Sequence, residues 1–193
     1  GWVYARYITG FEELFAEEQP TTETQESTSI QKSESPVGEG GQFVFSHPEG
    51  LFSLQMRMGW DNNRENQDYF EKYIFRDPSR EMGIWVVHTS SEDYSEDEFY
   101  RDLASLLMER SSARTEISPS ARRKADSGLD WLYGKVEIKS EPLKIHEYWI
   151  KEHAGRLWAV VEVYPQTVTE TASKRLSAIR RSFSFGTELD SNQ

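Results

Sequence analysis

Three stretches between residues 129 and 164 carry apolar side chains on both sides of an extended backbone, and this pattern constrains the fold more than any other feature. Side chains of a strand alternate between its two faces. Trp131 and Tyr133 fall on one side of the first stretch, and Leu132, Val136 and Ile138 on the other. In the third, Trp158, Val160 and Tyr164 oppose Leu157, Ala159, Val161 and Val163. Upstream, Tyr73 and Phe75 share a face, and Trp85 and Val87 oppose Ile84 and Val86. A buried Trp or Tyr withdraws about 150–250 Å² from water, or roughly 4–6 kcal/mol of gross burial at about 25 cal/mol per Å². A sheet built from these strands therefore needs cover on both faces, because so large an exposed patch is foreign to a monomer. Two arrangements meet that need. Either one helix layer covers each face, or part of the aromatic face stays open as a binding cleft walled by Trp85, Trp131, Tyr133, Trp149 and Trp158.

The remaining elements follow from local signals. Residues 43–45 and 51–58 read as strands around the turn His47-Pro48-Glu49-Gly50, and residues 59–63 as a loop. Residues 68–76 and 82–89 read as two further strands. Ser95 with Glu98 forms a capping box, and Phe99, Leu103, Leu106 and Leu107 continue at helical spacing to about residue 111. Residues 112–127 read as irregular, and residues 129–139, 143–151 and 156–164 as a three-strand meander. Thr167 with Glu170 forms a second capping box, opening a helix on Val168, Ala172, Leu176 and Ile179. Phe183 and Phe185 then return to the sheet. The expectation for residues 42–186 is an α+β domain, an antiparallel sheet of about six strands flanked by helices.

The preceding stretch has a different character. Residues 11–41 hold eight Glu and a single basic residue, Lys32, and so supply −7 of the net −11. Pro20 stops the helix-compatible run from Phe11 to Glu18. The Thr/Ser/Glu/Gln-rich remainder buries too little to offset its ordering entropy, so an acidic disordered linker is expected there. Residues 1–8, GWVYARYI, alternate like a strand and resemble the closing strand of bacterial Src-homology-3 barrels. That resemblance implies a small barrel upstream, with residues 1–10 its remnant. Residues 187–193 read as a tail.

The segment Gly50-Leu51-Phe52-Ser53-Leu54, followed by Gly59-Trp60, resembles the opening of the PsbP family. It departs from that pattern in Leu51 before Phe52 and in Arg57-Met58, where Pro is common. The resemblance implies an α/β/α sandwich, shared with the Ran-binding nuclear import factors, over residues 42–186.

Several functions are disfavoured. The acidic balance argues against nucleic acid as a partner, and Arg122-Arg123-Lys124, Lys174-Arg175 and Arg180-Arg181 read as solvated faces. With no cysteine there is neither disulfide nor thiolate chemistry. No apolar run is long enough for a transmembrane helix. His47, His88, His146 and His153 lack metal-ligand spacing, so no metal is expected. Glu92, Asp93, Glu96, Asp97 and Glu98 lack the order of a calcium loop and suit a helix N-terminus. No catalytic motif is present, and no cofactor is expected. The leading reading is a non-catalytic binding or scaffolding module of a multidomain bacterial protein. It would be a monomer, extracytoplasmic, with a protein or cell-envelope partner. The alternative is a small-ligand carrier or enzyme using the aromatic cleft, with His146 or Asp130 as convergent polar groups. Amide hydrogen exchange across residues 21–41 is expected to be unprotected, and protection there would overturn the linker assignment.

Overall fold

The computed structural model describes residues 41–66, 70–89, 94–124 and 130–186. The expected barrel strand, acidic linker and tail lie outside these residues. The elements in chain order are β1 (Gln42–Ser46), β2 (Phe52–Arg57), β3 (Asp61–Asn66), β4 (Glu71–Arg76), β5 (Gly83–Thr89), α1 (Glu96–Arg110), β6 (Thr115–Ile117), β7 (Ala121–Lys124), β8 (Asp130–Ile138), β9 (Lys144–His153), β10 (Arg156–Pro165), α2 (Glu170–Arg181) and β11 (Ser184–Phe185).

The large sheet has eight strands in the order β3-β4-β5-β10-β9-β8, with β6 and β7 both paired to the outer side of β8. A second sheet has the order β1-β2-β11. The α+β class stands, but the expected count of about six strands is too low. The additional strands lie at edges. Strand β3 occupies residues read partly as loop, and β6 and β7 occupy the stretch read as irregular. Their residues are mostly exposed, so hydrophobic alternation does not mark them.

Both faces of the large sheet are covered. Helix α1 sets Phe99, Tyr100, Ala104 and Leu107 against Leu132, Val136, Tyr148, Ile150, Leu157, Ala159 and Val161. On the opposite face, Leu176 and Ile179 of α2 join Phe45, Phe52, Leu54 and Met56 of the small sheet against Tyr73, Phe75, Ile84, Val86, Trp131, Trp158 and Val160. The sandwich thus has a helix on one side and a helix plus a small sheet on the other. Phe183 and Phe185 return to the sheet as expected, Phe185 stacking on Trp131 with ring centroids 5.9 Å apart.

The Ser95–Glu98 capping box forms as read, each residue satisfying the other's backbone amide. At α2 the cap moves from Thr167 to Thr169, whose hydroxyl accepts from the Ala172 amide at 3.2 Å. The reason is the preceding turn, closed by the Val168 amide on the Pro165 carbonyl at 2.9 Å, which delays the first helical turn. Between α2 and β10, Glu162 is buried and paired to Nε of Arg180 at 2.5 Å. Burial raises the Glu162 carboxyl above its ordinary value, and Arg180 opposes that rise.

Gly134 in β8 lets α1 approach the sheet. A Cβ there would stand 2.2 Å from the Tyr100 ring. That ring is pinned, because its hydroxyl donates to the carbonyls of Ser118 at 2.8 Å and Lys135 at 3.1 Å. Gly134→Ala is expected to lower stability by about 2–3 kcal/mol in a denaturant melt. An unchanged midpoint would show that α1 does not rest on this residue.

Candidate functional site

The five aromatic residues expected to wall one cleft are divided by the sheet. Trp131 and Trp158 are buried in the layer beneath α2 and the small sheet, 7% and 2% exposed. Tyr133 and Trp149 share that face, in edge-to-face contact at 5.1 Å. Trp85 lies on the opposite face, packed against the α1-side core. No single surface joins the five.

Trp85 instead borders a shallow apolar cleft with Phe70, Lys72, Leu103, Leu106 and Tyr148. The Lys72 ammonium stands 3.9 Å from its ring centroid, and the His146 ring 5.1 Å away. His146 is fully enclosed: burial above all, then Lys72 and Lys144, pushes its imidazole down to about 3. Of the two polar groups offered for a ligand pocket, His146 is thus buried in the core and Asp130 is exposed at the start of β8.

A different group of residues converges at the rim between the two sheets. Glu71 of β4 stands opposite His88 of β5 in the antiparallel register. His47, just beyond β1, closes over them from the small sheet. Nε2 of His88 is 3.0 Å and Nε2 of His47 3.6 Å from Oε2 of Glu71. Both imidazoles are buried, and neither Nε2 makes a well-aligned hydrogen bond, although each faces Oε2 of Glu71. The other carboxylate oxygen is held firmly: Arg64 of β3 ion-pairs with Oε1, and the Tyr73 hydroxyl donates to it at 2.8 Å. His47 also accepts the Glu49 amide at Nδ1, at 3.0 Å, inside the turn.

Burial dominates the electrostatics. It lowers the His47 imidazole, against the pull of Glu71 and Glu49. It lowers the His88 imidazole to about 4, again against Glu71, with Arg156 and His47 adding to the fall. Burial works to raise the Glu71 carboxyl, but the Tyr73 hydrogen bond with His88, Arg64 and His47 outweighs it and holds the group below its ordinary value. At neutral pH the cluster is one carboxylate facing two neutral imidazoles. Sequence spacing hid it, because its members come from two strands of the large sheet and from the turn that follows β1. The local signal was the His-Pro-Glu-Gly turn, which reads as a turn and nothing more.

A third feature is the edge made by β7. All four residues, Ala121 to Lys124, are exposed, and β7 pairs with β8 on one side. Among the described residues no strand lies beyond it. Arg122 ion-pairs with the largely buried Glu96, and the Arg123 guanidinium lies 3.5 Å from the Tyr133 ring centroid. Tyr133 is steadied from below by donating to Oε1 of Glu147 at 2.5 Å.

No protein-family model and no curated protein matches the chain. The fold is nevertheless PsbP-like. The solution structure of cyanobacterial PsbP (CyanoP) from Synechocystis sp. PCC 6803 superposes with a TM-score of 0.57 at 15% identity, covering 80% of this chain and 98% of that one. The Ran-binding protein Mog1p of Saccharomyces cerevisiae superposes with a TM-score of 0.49 at 11% identity, covering 76% and 96%. Among the described residues no helix is long and apolar enough to cross a membrane.

The buried imidazoles make stability depend on acid. An unfolded imidazole takes up its proton near pH 6.5, whereas the folded His146 does so only near 3 and His88 near 4. Below pH 6.5 the unfolded chain binds more protons, so stability falls with pH down to the folded values. The thermal midpoint is expected to drop steadily from pH 6.5 to 4, with a shallower slope in His146→Gln. An unchanged slope in that variant would mean that His146 titrates normally.

Proposed function

We propose that this domain is a non-catalytic binding module of a multidomain, extracytoplasmic bacterial protein. In this reading it takes an extended acidic segment of a protein partner along β7 by adding a strand to the sheet. The observation that carries the proposal is the fully exposed β7 edge, with Arg122 and Lys124 on one face of the strand and Arg123 on the other. An open sheet edge offers unpaired backbone amides and carbonyls to an incoming strand. Its basic residues, one of them paired with Glu96, repel a second copy of the strand, the usual protection of an edge, and attract a strand of the opposite sign.

The burial of Trp131 and Trp158 supports this choice, since these aromatic residues are already engaged in the core. Tyr133 takes a different part in the site from that of a cleft wall. It lies under Arg123 and holds that guanidinium in place, so less side-chain freedom is lost when a partner arrives. The extracytoplasmic, multidomain setting rests on the Src-homology-3-like first residues and on the absence of cysteine.

The full chain, immobilised and challenged with separated envelope and soluble extracts, tests the proposal when run beside an Arg122→Glu, Arg123→Glu variant. Trp131→Ala is unsuitable as the control because Trp131 belongs to the core. A partner held by the parent chain is expected to be lost at least tenfold on the variant and to elute with salt, as charge pairing at a surface requires. Equal retention by both chains would remove β7 from the interface.

A further inference from the structure

The edge-strand reading makes no use of the cluster at the rim between the sheets. We infer that His47, Glu71 and His88 form a binding site for one divalent transition-metal ion of the zinc class, through Nε2 of each histidine and Oε2 of the carboxylate.

The spacing carries the inference first. Bonds of about 2.0–2.1 Å to a tetrahedral ion place its ligand atoms roughly 3.3–3.4 Å from one another. Here Oε2 lies 3.0 Å from one Nε2 and 3.6 Å from the other, and all three ligand atoms lie within 4.8 Å of each other. Side-chain adjustments at His88 and Glu71, with a local change in the His47 turn, close them on an ion.

The second observation is the state of the nitrogens. Both Nε2 atoms are buried and face Oε2 of Glu71 without forming a well-aligned hydrogen bond to it. Buried polar atoms are nearly always satisfied, and an ion is one of the few agents that satisfies two nitrogens at once.

The third is the support around Glu71. Arg64 and the Tyr73 hydroxyl both hold Oε1, leaving Oε2 turned toward the imidazoles. Outer partners of this kind orient a carboxylate ligand. Two imidazoles and one carboxylate suit zinc and its neighbours, whereas magnesium and calcium favour sets of oxygen ligands.

His47 must rearrange locally. Its Nδ1 now accepts the Glu49 amide, which places the ring proton on Nε2. On binding, that proton moves to Nδ1 and the amide turns away. The next residue, Gly50, has φ +73, within the range glycine adopts readily, and gives the turn room to re-form.

Zinc titration of the chelator-stripped full chain, followed by calorimetry, tests the site. One equivalent is expected, bound at least tenfold more tightly than by His88→Gln or Glu71→Gln. His153→Ala, at an exposed histidine that is not one of the three ligands, is expected to bind as the parent does. Cobalt in place of zinc should give the visible spectrum of a four-coordinate centre and perturb tryptophan fluorescence, because His88 packs on Trp158 at 4.6 Å. If His88→Gln loses its fold by circular dichroism, the nearly isosteric Glu71→Gln decides. Absence of a stoichiometric site, equal binding by parent and variants, or loss with His153→Ala would each overturn the inference.

Discussion

A sheet that is apolar on both faces has no stable existence until each face is covered, and the rest of this structure is arranged around that requirement. Helix α1 meets it on one side, with Gly134 allowing the Tyr100 ring to settle against β8. On the other side α2 is too short to cover the sheet alone. The three-stranded sheet of β1, β2 and β11 fills the remaining area with Phe45, Phe52, Leu54 and Met56. The aromatic wealth of the chain is thereby used as core. What remains for recognition lies at the margins, along β7 and at the rim where the two sheets meet.

Charge placement follows from the same covering. Where α2 crosses β10, the buried Glu162 is matched by Arg180, which also lies 3.9 Å from the Trp149 ring centroid. Where the small sheet ends, Glu71 is matched by Arg64 and Tyr73 while two imidazoles stay neutral beside it. A buried charge without a partner costs several kcal/mol (on the order of 3–5 when one partner is removed). The first pair therefore ties α2 to the large sheet, and the second joins the neighbouring strands β3 and β4 within that sheet. The difference between them is that the Glu71 group faces two nitrogen atoms without a well-aligned hydrogen bond to either.

Much of this was written locally. The Ser95–Glu98 cap was legible because both partners lie within one helical turn. The two faces of β8 and β10 were legible because alternation is a property of neighbours in the chain, and the return of Phe183 and Phe185 because apolar residues after a helix must find cover. Strands β3, β6 and β7 were not legible. Their residues, Asp61 to Asn66 and Ala121 to Lys124 among them, show no apolar period. They are strands because β4 and β8 offer them a hydrogen-bonding edge.

The sequence by itself determined the fold class, the demand for cover on both faces and the PsbP-like order of elements. The first two rest on periodicity and turn chemistry, which act over a few residues, and the third on the resemblance carried by residues 50–54 and Gly59-Trp60. Only the tertiary structure decided which aromatic residues share a face, since Trp85 was sent to the α1 side and Trp131, Tyr133, Trp149 and Trp158 to the other. It alone brought His47 and His88 to one carboxylate, because adjacency across strands is set by register and sheet packing rather than by spacing along the chain.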